Sequence, residues 1–116
     1  MRLQVINPNT CIKMTHSIGK SARKVAASTA KITTVPPDHG VPFIKGHYDE
    51  AISALRTLQL IQEACKNQIN GHIIACFGDP ALHAAREIAD APAIDAVTAT
   101  VKLLEGLHRL RLRTSQ

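Results

Sequence analysis

The chain has 116 residues, a formal charge of +5 and an apolar fraction of 45%, which suits one aliphatic-cored domain and excludes global disorder. Phe43, Tyr48 and Phe77 are the whole aromatic set, 3% of the sequence, and the positive charge gathers at the C-terminus, where Lys102, Arg109, Arg111 and Arg113 face only Glu105; the stacking surface and basic stripe of a nucleic-acid binder are missing. No run approaches the ~20 apolar residues of a membrane span, Met1 to Ile6 is too short for a signal peptide, and the three cysteines form no zinc-spaced pair, so the expectation is a cytoplasmic protein with free thiols, no metal, and neither nucleic acid nor membrane as partner.

In chain order, Leu3 to Ile6 reads as a short strand stopped by Asn7-Pro8-Asn9-Thr10, because Pro8 removes a ladder donor and Asn and Thr suit a turn and a helix cap. From Cys11 to about Ala27 apolar residues recur at helical spacing: Ile12, Met14, Ile18, Ala22, Val25 and Ala26. The β-branched run Lys31 to Val35 predicts a second strand, and three prolines and a glycine make Pro36 to Pro42 a loop. Tyr48 to Asn67 reads as a long helix with Asp49 and Glu50 in its first turn and Ala51, Leu55, Leu58, Ile61 and Ile69 on an apolar stripe. Gly71 to Cys76 is nearly unbroken in apolar character, as a strand covered on both faces is. Asp79 and Pro80 predict the N-cap and first position of a helix running to about Asp90. Beyond the Ala91-Pro92 break, Ala93 to Val97 suits a fourth strand and Thr98 to about Leu110 a fourth helix capped by Thr98; the alternating basic and apolar residues from His108 to Thr114 suit a frayed end or an edge strand.

Four alternations of strand and helix with short connections predict an α/β fold: a four-stranded parallel sheet with helices on both faces. Ligands on such sheets bind beyond the carboxyl ends of the strands. Three unusual segments fall there: Asn7 to Thr10, Pro36 to Tyr48, and Cys76 to Asp79. Cys76 is the candidate of greatest chemical interest. It closes a buried strand and precedes a Gly-containing turn into a helix, whose start would favour a thiolate and leave N–H donors for a substrate oxygen. A small apolar residue finishing a core strand is the alternative. The same strand–Cys–Gly–helix order also suits a cysteine hydrolase with His47 as base, and a non-catalytic flavodoxin-like fragment binding a small anion or a partner chain is a third reading.

Three motifs in order, Asn7-Pro8-Asn9-Thr10, Gly46-His47-Tyr48-Asp49-Glu50 and Ala75-Cys76-Phe77-Gly78-Asp79-Pro80, resemble the hydantoin racemase family of the aspartate/glutamate racemase superfamily over residues 1–92. The resemblance implies cofactor-free racemisation of 5-substituted hydantoins or allantoin, with two similar halves and one acid/base cysteine from each. It makes Cys76 one of these. Asn7, Asn9 and Thr10 would position polar substrate groups, and His47 and Tyr48 would contact the substrate. The backbone of Phe77, Gly78 and Asp79 would hold a carbonyl oxygen, unless Asp79 only caps a helix. The physics suits this chemistry, because inverting a carbon needs one group that removes a proton from one face and another that returns it to the opposite face.

The departures matter too. Lys45 stands where the family has an acidic residue, and the text after Pro92 loses the pattern. The expected division is a racemase-like N-terminal half at 1–97 and a divergent helix and basic tail at 98–116, as in a shortened or frame-shifted product or a naturally short relative. Cys65 lies in the long helix. Cys11 projects from the same half as Cys76, an awkward origin for opposite-face attack. The expectation is therefore one working face, little racemisation by this chain alone, and a bare docking face that drives self-association into a homo-oligomer.

Overall fold

The computed structural model describes residues 1–110, with the side chains of Val97 and Thr98 left aside. Four strands, β1 (Arg2–Ile6), β2 (Lys31–Val35), β3 (Gly71–Ile74) and β4 (Ala93–Asp95), alternate with four helices, α1 (Ile12–Val25), α2 (His47–Cys65), α3 (Leu82–Ile88) and α4 (Ala96–Arg109). All strand pairs are parallel, in the order β2-β1-β3-β4. The chain thus forms the expected α/β fold, with β1 and β3 inside. The part of the expected edge strand that begins at Arg111 lies outside the described residues.

Register fixes which side chains share a face. Gln4 and Ile6 stand beside His72 and Ile74, and Ile74 beside Asp95. On this face Ile6, Ile61, Ile74, Leu82 and Ala85 form the core, joined by Leu60 and Ala93, so α2 and α3 cover it together. The polar pair inside is satisfied in series: His72 Nδ1 lies 2.7 Å from Gln4 Oε1, and Gln4 Nε2 donates to the Leu60 carbonyl at 3.2 Å. Burial pushes the His72 imidazole below its usual pKa, against the opposing pull of Asp90.

The opposite face carries Leu3, Val5, Ile73 and Ile94. Here α1 packs so closely on β2 that a Cβ added to Gly19 would lie 2.6 Å from Thr34 Oγ1. The buried residues of α1 are Thr15 and Gly19, whereas Ile12, Met14 and Val25 are exposed. Of the apolar residues spaced along α1, Ile18 and Ala22 are half-buried on the face of Thr15 and Gly19, and Ile12, Met14 and Val25 lie off it; small residues are needed for the close approach. In α2, Leu58 and Ile61 of the expected stripe pack in the core, whereas Ala51 and Leu55 are corrected to exposed positions and Ser53, Thr57, Leu60 and Ala64 are buried. Over β3 and β4 this second face is open, with an apolar cavity of about 250 Å3 lined by Leu3, Ile73 and Ile94 among others.

Strands β3 and β4 both end sooner than the sequence reading places them. β3 ends at Ile74, so Cys76 lies in the following connection. β4 ends at Asp95 and α4 begins at Ala96, which puts Thr98 inside the helix instead of before it. Among the described residues no helix is long and apolar enough to cross a membrane.

Candidate active site

Backbone hydrogen bonds draw the strand-end segments together. Asn7 N–H donates to the Val35 carbonyl and Thr10 N–H to the Val41 carbonyl, both at 3.0 Å, and Ala75 N–H donates to the Ile6 carbonyl at 2.8 Å. The first bond ties the Asn7–Thr10 turn to the end of β2, and the second ties it to the loop after β2. The third continues the β1–β3 ladder one residue towards Cys76. Arg56 holds the same loop from α2, with Nε 2.8 Å from Asp38 Oδ1.

The first turn spends its polar groups on itself. Asn7 is fully buried. Its Nδ2 donates to Asn9 Oδ1 and Thr15 Oγ1, both at 2.9 Å, and more weakly to the Cys11 carbonyl. Asn9 Oδ1 also accepts from Cys11 N–H at 2.9 Å, and Asn9 Nδ2 reaches Met14 Sδ. The substrate contact expected of Asn7 is thus corrected: a side chain with no exposed surface and its amide donors engaged builds the turn. Asn9 is nearly as enclosed, whereas Thr10 is half-buried beside Gly40.

Cys76 lines a cavity of about 500 Å3 with Ile44, Lys45, Gly46, His47, Glu50, Phe77 and Gly78. It is half-buried and also packs against the core cluster. Of the three cysteines it alone lines this cavity; Cys65 ends α2 and packs on the core, and Cys11 precedes α1. The second and third strand-end segments therefore meet around the sulfur, while the Asn7–Thr10 turn does not line the cavity and braces the loop through Thr10.

The helix start facing the sulfur is not the expected one. α3 begins only at Leu82, after Asp79 and Ala81 in left-handed conformation, and Ala81 is its N-cap. Asp79 and Pro80 thus lie in a longer turn, and the expected cap role is corrected. The start of α2 lines the cavity instead, through Gly46 and His47, and brings the positive end of a 19-residue helix dipole to it. Asp49 moderates that field, its Oδ2 accepting from Lys45 N–H at 2.8 Å.

Around the turn after β3, Asp79 N–H donates to the Cys76 carbonyl at 3.1 Å. It is thereby withdrawn from the expected carbonyl-binding set, which leaves Phe77 and Gly78. Asp79 Oδ1 is buried without a hydrogen-bond partner among the described residues. Burial, with the charge of Asp95 adding and Arg86 opposing, raises the Asp79 carboxyl above its usual pKa.

Glu50, absent from the sequence-derived site, packs over the turn: a Cβ added to Gly78 would meet its Oε1 at 2.5 Å. Its Oε2 lies 3.1 Å from His47 Nδ1. The signal available in sequence was the first-turn position of Glu50, which gives no hint that it reaches Gly78. His47 and Phe77, which line the cavity, are strongly exposed, as is Tyr48, the next residue along α2 from His47. Among the described residues no group of three or more His, Cys, Asp or Glu is arranged to hold a metal.

Comparison with known proteins bears on this geometry. A family model described as Asp/Glu/Hydantoin racemase matches residues 3–111. A hydantoin racemase of Pseudomonas sp. (strain NS671) is 38% identical over 92% of this chain and 43% of its own length. One of Paenarthrobacter aurescens is 34% identical over 89% and 44%. The solved structure of an allantoin racemase from Klebsiella pneumoniae superposes with a TM-score of 0.80 and 53% identity, over 82% of this chain and 39% of the other. The chain spans less than half the length of these relatives.

Proposed function

Because the chain belongs to the Asp/Glu/hydantoin racemase family, we propose that it binds a 5-substituted hydantoin, allantoin included, and moves the proton on ring carbon C5 through Cys76 without a cofactor. The observation that carries this reading is the position of Cys76 as the one thiol on the cavity beyond the carboxyl ends of the strands. A cavity of about 500 Å3 admits a small planar ring. The 53% identity to the Klebsiella pneumoniae allantoin racemase supports allantoin as the first substrate to test.

The chemistry is a reversible proton transfer. The Cys76 thiolate takes the C5 proton and becomes a thiol, and the electron pair left on carbon delocalises onto the adjacent carbonyl oxygen as an enolate. Backbone N–H groups of Phe77 and Gly78, aided by the α2 dipole, stabilise that oxygen. His47, Tyr48 and the Phe77 ring meet the 5-substituent at the mouth, and Glu50 holds the Gly78 turn at its distance from α2. Thr10 and Asn9 act behind this surface, with Asn7, by fixing the loop that forms its wall. The hydrolase reading needs an imidazole on the thiol, and His47 Nδ1 turns to Glu50 instead.

Deuterium uptake at C5 in D₂O, followed as loss of the C5–H proton signal of each allantoin enantiomer, tests the proposal and needs only one working face. Wild type is expected to exceed the protein-free rate for at least one enantiomer, and Cys76→Ser to lose ~10²-fold or more of that excess, the scale of a general acid/base. Uptake at the protein-free rate with wild type, or undiminished uptake in Cys76→Ser, refutes it.

A further inference from the structure

Helix α2 reverses the usual distribution of a surface helix. The face turned to the sheet buries Ser53 and Thr57, whose hydroxyls have no hydrogen-bond partner among the described residues, beside Leu60, Ile61 and Ala64. The face turned outward carries Ala51, Ile52 and Leu55, and Ile52 and Leu55 are 42% and 64% exposed. Leu55 stands four residues from Ala51 and three from Ile52, so all three share one side of the helix. Together they line a cavity of about 340 Å3 with His39 and Gly40 of the loop after β2. A helix that is apolar on its outer side as well as its inner side belongs in a buried setting, not at a solvated surface.

The charges around this cavity are satisfied within the chain. Arg56, in its wall, has Nε 2.8 Å from Asp38 Oδ1 and Nη1 3.1 Å from Glu63 Oε1. His39 Nδ1 lies 2.7 Å from the same Asp38 oxygen. What remains open to a partner is apolar: a hollow, and the exposed Leu55 side chain beside it. A surface that offers both a knob and a hole can complement a second copy of itself, as a two-fold contact requires.

We infer that α2 is the contact helix of a homodimer, in which the α2 helices of two copies pack antiparallel with Leu55 of each in the hollow of the other. This arrangement sets Ile52 of one copy against Leu55 of the second, and the aliphatic stem of Arg56 over small Ala51. It opposes the two helix dipoles. It also carries the exposed Lys45, just ahead of α2, towards the exposed Glu63 in the last turns of the second copy's α2. Opposite charges thus meet at both ends of the contact. Three apolar side chains and their flanks fall short of the ~800 Å2 that each side of a standard interface buries, so the dimer belongs to the weak, concentration-dependent class. Neither Cys76 nor a hydantoin takes part in it, and it stands apart from the racemase reading.

Sedimentation velocity over a concentration series, with zero-length carbodiimide crosslinking and peptide mass spectrometry, tests this on the whole chain. The proteins compared are wild type, Leu55→Asp and Leu103→Asp, the last a leucine of equal exposure on α4. Within one chain Lys45 and Glu63 stand about 27 Å apart along α2, too far for an amide between their side chains, so a Lys45–Glu63 link joins two copies. The expected result is a wild-type dimer that grows with concentration and carries this link. Leu55→Asp puts an unpaired charge in the contact, weakens dimerisation roughly tenfold or more and loses the link, while Leu103→Asp keeps both. Leu55 is exposed, so its substitution spares the fold, which circular dichroism checks; the wild-type link tests the arrangement without any substitution. A monomer at every concentration, a dimer without the Lys45–Glu63 link, or a dimer that Leu103→Asp breaks and Leu55→Asp spares overturns the inference.

Discussion

Asn7 shows how a single side chain sets the frame of the site without touching its cavity. Its amide joins Asn9, Cys11 and Thr15 while remaining fully buried, so truncation leaves several enclosed polar groups unpaired. Asn7→Ala is expected to cost about 2–3 kcal/mol, read as a lower urea midpoint at an unchanged slope; an unchanged midpoint would deny the turn its structural role. His72 makes a pH prediction. Its folded-state pKa lies below the unfolded value, so the stability linked to it is fully present above the unfolded value of about 6.5 and is lost as pH falls through the depressed folded value. His72→Gln should flatten that part of the stability–pH curve. A curve of unchanged slope would mean that the imidazole takes up its proton without opposing the fold.

At the scale of elements, the close seating of α1 on β2 is open to direct test. Alanine favours a helix over glycine by about 1 kcal/mol, but overpacking costs about 1–3 kcal/mol. Gly19→Ala should therefore destabilise by about 1 kcal/mol net, since its Cβ would meet the stiff Thr34 side chain. Adding Thr34→Ala should return the loss, a coupling that a double-mutant cycle measures; additive effects would deny the contact. The same helix shows what was legible in the sequence. Strand β2 was readable to the residue, because β-branched runs bounded by breakers have few alternatives. The apolar spacing of α1 gave the right element and part of its buried side: Ile18 and Ala22 share the seam with small Thr15 and Gly19, while Ile12 and Met14 are exposed. The turn that carries Cys76, Phe77 and Gly78 beyond β3 was readable from the sequence, although β3 ends at Ile74, two residues sooner than read. The cap expected of Asp79 was not found, because two left-handed residues delay α3 to Leu82. The part played by α2 was hidden as well. It depends on which helix the sheet order brings over β3, and spacing along the chain does not report that.

At the scale of the whole molecule, the chain spans less than half the length of its relatives, yet it brings a thiol, a helix start and two strand-end segments to one cavity. The proposed proton transfer requires that cavity to hold a hydantoin ring with the Cys76 sulfur against its C5. Peptide-resolved mass spectrometry of iodoacetamide alkylation, with and without saturating allantoin, tests this most directly, because the three cysteines are mutual controls. Allantoin is expected to slow alkylation of Cys76 several-fold and to leave Cys11 and Cys65 unchanged. Equal rates at Cys76 with and without allantoin, or protection centred on Cys11, would contradict it.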